Sequence, residues 1–265
     1  MINHGHHENG LQMMDLFIIV LVLTLIITYI GAGLISNKKK HLNSWPFHRY
    51  ILWIMGFLLV GVSLVGPIAE LAHSNFTAHM LSHLLLGMLS PLLLALAAPI
   101  TLLLRMLPVQ QARILSRLLK TPFPSLMRHP IIASILNIGG LWLLYTTNLY
   151  MLMHENLLVY LIVHFHIFVA GYLFTISMIY MDPTPHRFSY LYRAVVFVFA
   201  LAGHGILSKY IYANPPVEVP KDQAEAGGIL MYYGGDAIDI IIIFILCLHW
   251  YRSTSPKARL NVSSN

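Results

Sequence analysis

HMLSHLLLGMLSPLLLALAAPITLLLR, residues 79–105, is the stretch on which the fold turns. Apart from its two histidines and the closing arginine it carries no ionisable side chain. It also exceeds the ~20 apolar residues that cross a bilayer as a helix. Positions i and i+4 share one face of a helix, so His79 and His83 point the same way, about 6 Å apart along the axis. Pro91 and Pro99 predict that this long helix is tilted or kinked.

The rest of the chain is of the same kind. Its 265 residues are 57% hydrophobic and 10% charged, where a soluble domain carries about 25% charged residues. Apolar runs recur from end to end and predict an all-α integral membrane protein, a seven-transmembrane-helix bundle. The spans fall at roughly 15–36, 50–69, 78–107, 130–148, 157–181, 190–213 and 229–251. Residues 1–14 form a His-containing tail ahead of the 15–252 membrane domain, and 253–265 a second tail. The first span is too long for a signal-peptide core and lacks a basic leader, so it reads as retained. A single cysteine, Cys247, excludes an internal disulfide and any CxxC motif.

Charge sets the orientation. Lys38 to Lys40, Arg49, Arg105, Arg113, Arg117, Lys120, Arg128, Arg187, Arg193 and Arg252 all fall at one end of the predicted spans. By the positive-inside bias that end is cytoplasmic, with the amino terminus outside and the carboxyl terminus inside. Glu70, Glu155, Glu218, Asp222 and Glu225 fall at the other end. The net charge of +6 is thus topology rather than a nucleic-acid surface. PVQQARILSRLLKTPFPSLMRHP, after the third span, contains a basic amphipathic stretch expected along the inner membrane surface. The polar loop YANPPVEVPKDQAEAGG is expected as a flexible lid on the outer side.

Ionisable groups inside a bilayer are costly and each needs a partner or a purpose. His83, His164, His166, His204, Asp236 and Asp239 cluster about 10–15 Å below the outer surface when counted at the helical rise, with His79 nearer the mouth. Four helices thus carry imidazoles and carboxylates to one depth. Histidine is the commonest metal ligand, and a His-rich site without thiolate suits copper, zinc, iron or nickel. A lone buried histidine such as His154 reads more simply as a hydrogen bond between helices. His164 and His166 lie about 200° apart around their helix, so one of them faces the centre and the other its surroundings. Asp236 and Asp239 share a face and are candidates for ligands or for ion pairs with Lys209. Met231, Met80 and Met88 are soft thioethers that double as apolar filler. His4, His6 and His7 in the leading tail form a short tract of the metal-capturing type.

Taken in order, HMLSHLLLGMLSPLLLALAAPITLLLR, HFHIFVAGYLF with MDPTPHRFSYLYR, AGHGILSKY and DQAEAGGILMYYGGD resemble the CtaG family of bacterial cytochrome c oxidase assembly factors. The resemblance covers about Gly66 to Trp250. It implies a multi-pass protein of the bacterial plasma membrane that handles copper on the outer side. Haem-copper oxidase subunit I would be the recipient, and an extracytoplasmic copper chaperone a candidate donor. His79, His83, His166 and His204 match the family's histidines. Tyr232 stands where the family usually has Trp, and GGDAIDI where many members have Glu-Pro, so the aspartates keep both readings. No nucleophile–base–orienter set appears, and the chain is not expected to be an enzyme. A bis-histidine haem protein and a copper transporter are the rival readings. A retinal receptor is excluded, because span seven has no intramembrane lysine.

Overall fold

The computed structural model describes residues 4–40, 42–184 and 186–255, with side chains from Met13 onward. The histidine tract at His4, His6 and His7, and the tail from residue 256, lie outside the described side chains. Every regular element among the described residues is a helix. Six are long and apolar enough to cross a membrane: Met13–Asn37, Phe47–Leu64, Phe76–Met106, Leu157–Met178, Tyr190–Ala213 and Lys221–Thr254. A seventh crossing exists if Pro130–Thr146 and Leu149–Glu155, which meet at 79°, are one bent span. We number the crossings one to seven in chain order on that basis.

The third span is interrupted twice, and each interruption has a cause in the sequence. Residues Leu85–Leu89 form a π turn, a one-residue excess that recurs near functional sites. Gly171 lets the fifth span come close to this turn: a Cβ on it would sit 2.0 Å from the Gly87 carbonyl oxygen. Further on, Pro99 removes a backbone donor, and Ala98 takes the left-handed conformation at φ 53. A backbone break at membrane depth must have its polar groups satisfied by neighbours. Here Tyr29 of span one donates its hydroxyl to Ala97 O at 2.7 Å, and Trp45 Nε1 donates to that hydroxyl at 3.1 Å. Asp182, in the turn after span five, accepts from the Ile100 and Thr101 N–H groups at 3.2 and 2.7 Å, and from Thr101 Oγ1 at 2.6 Å. The Asp-Pro turn is therefore a cap supplied in trans to the third span.

Two expectations are refined by the structure. The fourth span carries its own π turn at Ile135–Gly139 and ends in a sharp bend, so Leu149–Glu155 swings away from the axis of the preceding helix. The loop expected as a lid is helical from Lys221 onward. Pro220 at the cap and Asp222 in the first turn favour that earlier start. Gln223 then pins it to span three, its side-chain oxygen accepting from Phe76 N at 2.8 Å. The connection after span three contains the helix Val109–Leu118, none of whose residues is buried, as an amphipathic surface segment requires.

Candidate functional site

Span three brings His79 and His83 into the bundle one turn apart, and both are buried. Asn75 starts this helix by accepting from Ala78 N at 3.0 Å, which fixes where that turn falls. Around His79 stands an aromatic wall. Phe76 lies flat against it, and Tyr145 and Tyr150 meet it edge-on. Its Nε2 is 3.1 Å from the Tyr145 hydroxyl.

Three more imidazoles complete a first group. His164 on span five is 6.4 Å from His79 between ring centroids, and His154 on the bent end of span four is 6.2 Å from it. His73, on the short helix Pro67–Ser74, is 6.0 Å from His154. His154 and His164 each donate Nδ1–H to the carbonyl four residues earlier, at 2.8 and 2.9 Å. That fixes the tautomer and leaves each Nε2 with a free lone pair. His73 and His154 line a cavity of about 240 Å³ together with Glu155, Glu218 and Gln223.

Deeper, His83 and His204 of span six face each other with centroids 6.5 Å apart and planes 25° apart. Both rings are almost fully shielded from solvent, yet His83 Nδ1, His83 Nε2 and His204 Nε2 have no hydrogen-bond partner among the described residues. Buried polar nitrogens without partners are rare and call for an explanation. Gly235 of span seven makes room for the pair, since a Cβ there would lie 2.5 Å from His204 Cε1. Beside His204 a cavity of about 10 Å³ is lined by Met88, Asn137 and Asp239, among others. Beyond it the bundle closes with Leu92, Phe174, Met178, Phe197 and Ile242.

The other candidates separate cleanly. His166 turns away from both groups and donates Nε2–H to Leu136 O, in the π turn of span four, at 3.0 Å. Asp239 is buried beside His204, whereas Asp236 is only partly covered and does not line that cavity. Lys209 forms no ion pair with either aspartate; its Nζ sits 5.0 Å from the centre of the Tyr232 ring. Met231 and Met80 pack in the apolar core with Leu207 and Ile211. Among the described residues, no three His, Cys, Asp or Glu side chains converge on one point as a finished metal cage. What the fold assembles is a file of imidazoles in steps of one pair. His73 was missed in the sequence because it lies ahead of span three, outside the depth count. His154 was seen but set aside, because the bend that swings it over the mouth has no helix-period signature.

Comparison with known proteins returns the same identity as the motifs. The family model described as cytochrome c oxidase caa3 assembly factor, Caa3_CtaG, matches residues 27–253. An uncharacterized protein of Mycobacterium bovis is 32% identical over 173 residues, which is 60% of this chain and 25% of the relative. One of Mycobacterium leprae is 27% identical over 259 residues, 86% of this chain and 38% of the relative. The chain thus spans about a quarter to two-fifths of the length of these relatives. No solved structure matches it. The family match starts inside the first span, earlier than the motifs reach, and runs to the end of the last. Every crossing among the described residues overlaps it, and the chain belongs to the CtaG family of cytochrome c oxidase caa3 assembly factors.

Proposed function

We propose that the chain takes up copper on the outer side of the bacterial plasma membrane and passes it to the catalytic subunit of the oxidase whose assembly it serves. Copper is the cargo, and the file of histidines is its path. The carrying observation is the orphaned nitrogens of His83 and His204. Two rings bound through nitrogens at about 2.0 Å to opposite sides of one ion have centroids roughly 6 Å apart. The observed 6.5 Å matches that spacing.

The remaining pairs supply steps of similar length. An ion captured between His73 and His154, where Glu155 and Glu218 make the mouth acidic, reaches His79 and His164 by exchanging one imidazole at a time. One helical turn separates His79 from His83. Asp239 then adds a carboxylate beside His204 that can orient that ring. His164 is the member of its pair that serves the file, and His166 anchors span five to span four. The apolar closure below His204 favours a holding and hand-off site over a through-going channel. The confined space beside His204, about 10 Å³, is at the lower limit of what admits one water, which favours an ion over a macrocycle. The recipient is haem-copper oxidase subunit I, and an extracytoplasmic copper chaperone is the natural donor. The orientation assumed, with the histidine end outside, rests on the lysine and arginine bias.

The deciding experiment is elemental analysis of the purified protein beside its visible spectrum. Copper near one per chain in the wild type, lost in His83→Ala and His204→Ala while both variants stay in the membrane, is the expected result. Copper unchanged in both variants, or iron with a haem band, overturns the reading.

A further inference from the structure

The other end of the bundle holds a second feature that copper handling leaves unused. A cleft of about 660 Å³ opens between the end of span three and the helix Val109–Leu118. Five cations line it, from three separate stretches of chain: Lys39, Arg105, Arg113, Arg117 and Lys120. No acidic residue lines it, and among the described residues none of the five pairs with a carboxylate. Lys39 and Arg105 are held in place. Lys39 Nζ donates to the last carbonyls of span three, Arg105 O and Met106 O, at 2.6 and 3.1 Å. Arg105 donates to Asn43 O and stands 5.0 Å over the Trp45 ring. Val109, Ala112, Arg113, Ser116, Arg117 and Lys120 recur at three- and four-residue spacing, so one face of the surface helix points into the cleft.

We infer that this cleft binds the phosphodiester headgroup of an anionic phospholipid, with Arg113, Arg117 and Lys120 as the anion-binding side chains. A basic pocket beside the end of a membrane helix, with five cations in its lining and the nearby Asp182 carboxylate tied up by the Ile100 and Thr101 donors, is an arrangement that collects such headgroups. Several observations favour a lipid over a free phosphate. Leu104 and Leu107 continue the cleft wall along the end of span three. Ile114 and Leu118 stand exposed on the flank of the same helix, and Phe123 follows them. A free anion would use only the cations, whereas a lipid also covers these apolar side chains with its tails. The inference is independent of what the histidines carry.

The test is native mass spectrometry of the full chain in detergent, with phosphatidylglycerol, phosphatidylcholine or inorganic phosphate added separately and then phosphatidylglycerol against excess phosphate. Retention of phosphatidylglycerol should exceed that of phosphatidylcholine by roughly tenfold or more, as expected for a site with several cations near the headgroup. The double variant Arg113→Gln, Arg117→Gln should lose that preference. A second double variant, Arg187→Gln, Arg252→Gln, removes the same charge elsewhere and should keep it. Equal retention of the two lipids, or equal loss in both double variants, overturns the site. Displacement of phosphatidylglycerol by inorganic phosphate, with phosphate bound in its place, overturns the assignment to a lipid. Unfolding midpoints measured alongside show whether either variant has simply lost its fold.

Discussion

At the scale of single residues the histidines divide into those with partners and those without. His166 bonds a carbonyl at 3.0 Å, and interhelical hydrogen bonds of this kind in membranes average about 0.6 kcal/mol. His166→Ala should therefore lower the unfolding midpoint slightly and keep the copper. His164→Ala should lose copper as well as some stability, and metal content measured beside thermal unfolding separates the two variants. Gly235→Ala is a sharper probe, because it leaves every imidazole in the sequence. The added carbon at 2.5 Å from His204 Cε1 must push the ring aside. Copper per chain should fall at least several-fold, whereas Gly61→Ala, where nothing lies within 4 Å, should leave it unchanged. That span three meets spans five and six at the level of His164 and His204 was legible from counting residues along apolar runs. Which of His164 and His166 faces it was not, since a two-residue spacing gives opposite faces without saying which face meets span three.

At the scale of elements the break in span three is the informative case. Two prolines were visible and a kink was expected, but the left-handed Ala98 and its cap from Asp182 depend on a turn some eighty residues away. Periodicity reads one helix at a time and cannot report such a pairing. Removing the acceptor with Asp182→Ala leaves two N–H groups and a hydroxyl unpaired and should cost about 1–3 kcal/mol, read as a lower unfolding midpoint. Burial raises the Asp182 carboxyl above its ordinary value, against the opposing pull of its hydrogen bonds and of Arg49. A raised folded-state value means that the native protein holds this proton more tightly than the unfolded chain does. That contribution is full below the ordinary carboxylate value of about 4 and fades as pH climbs through the raised one. Asp182→Asn has no proton to lose there. Its midpoint should therefore gain on the wild type as pH rises from about 4, and parallel curves would contradict the burial argument.

At the scale of the whole molecule six of the seven expected apolar runs are straightforwardly legible, because lipid leaves a chain few choices. The bend that ends the fourth run was not, and neither were the two π turns, because each changes the path of a helix without changing its composition. Reporter fusions at residue 66 and residue 120 should show the first outside and the second in the cytoplasm; the reverse pattern would place the histidine file on the wrong side for its cargo. The cap on span three also carries a consequence for how the protein is made. Tyr29 is already synthesised when Ala97 emerges, so that carbonyl finds its donor at once. The Ile100 and Thr101 amides must wait for Asp182, which at ordinary translation speeds of about 5–20 residues per second is a delay of roughly 4–16 s. Through that interval the newborn third span carries an unmended seam, and only the arrival of the turn after the fifth closes it.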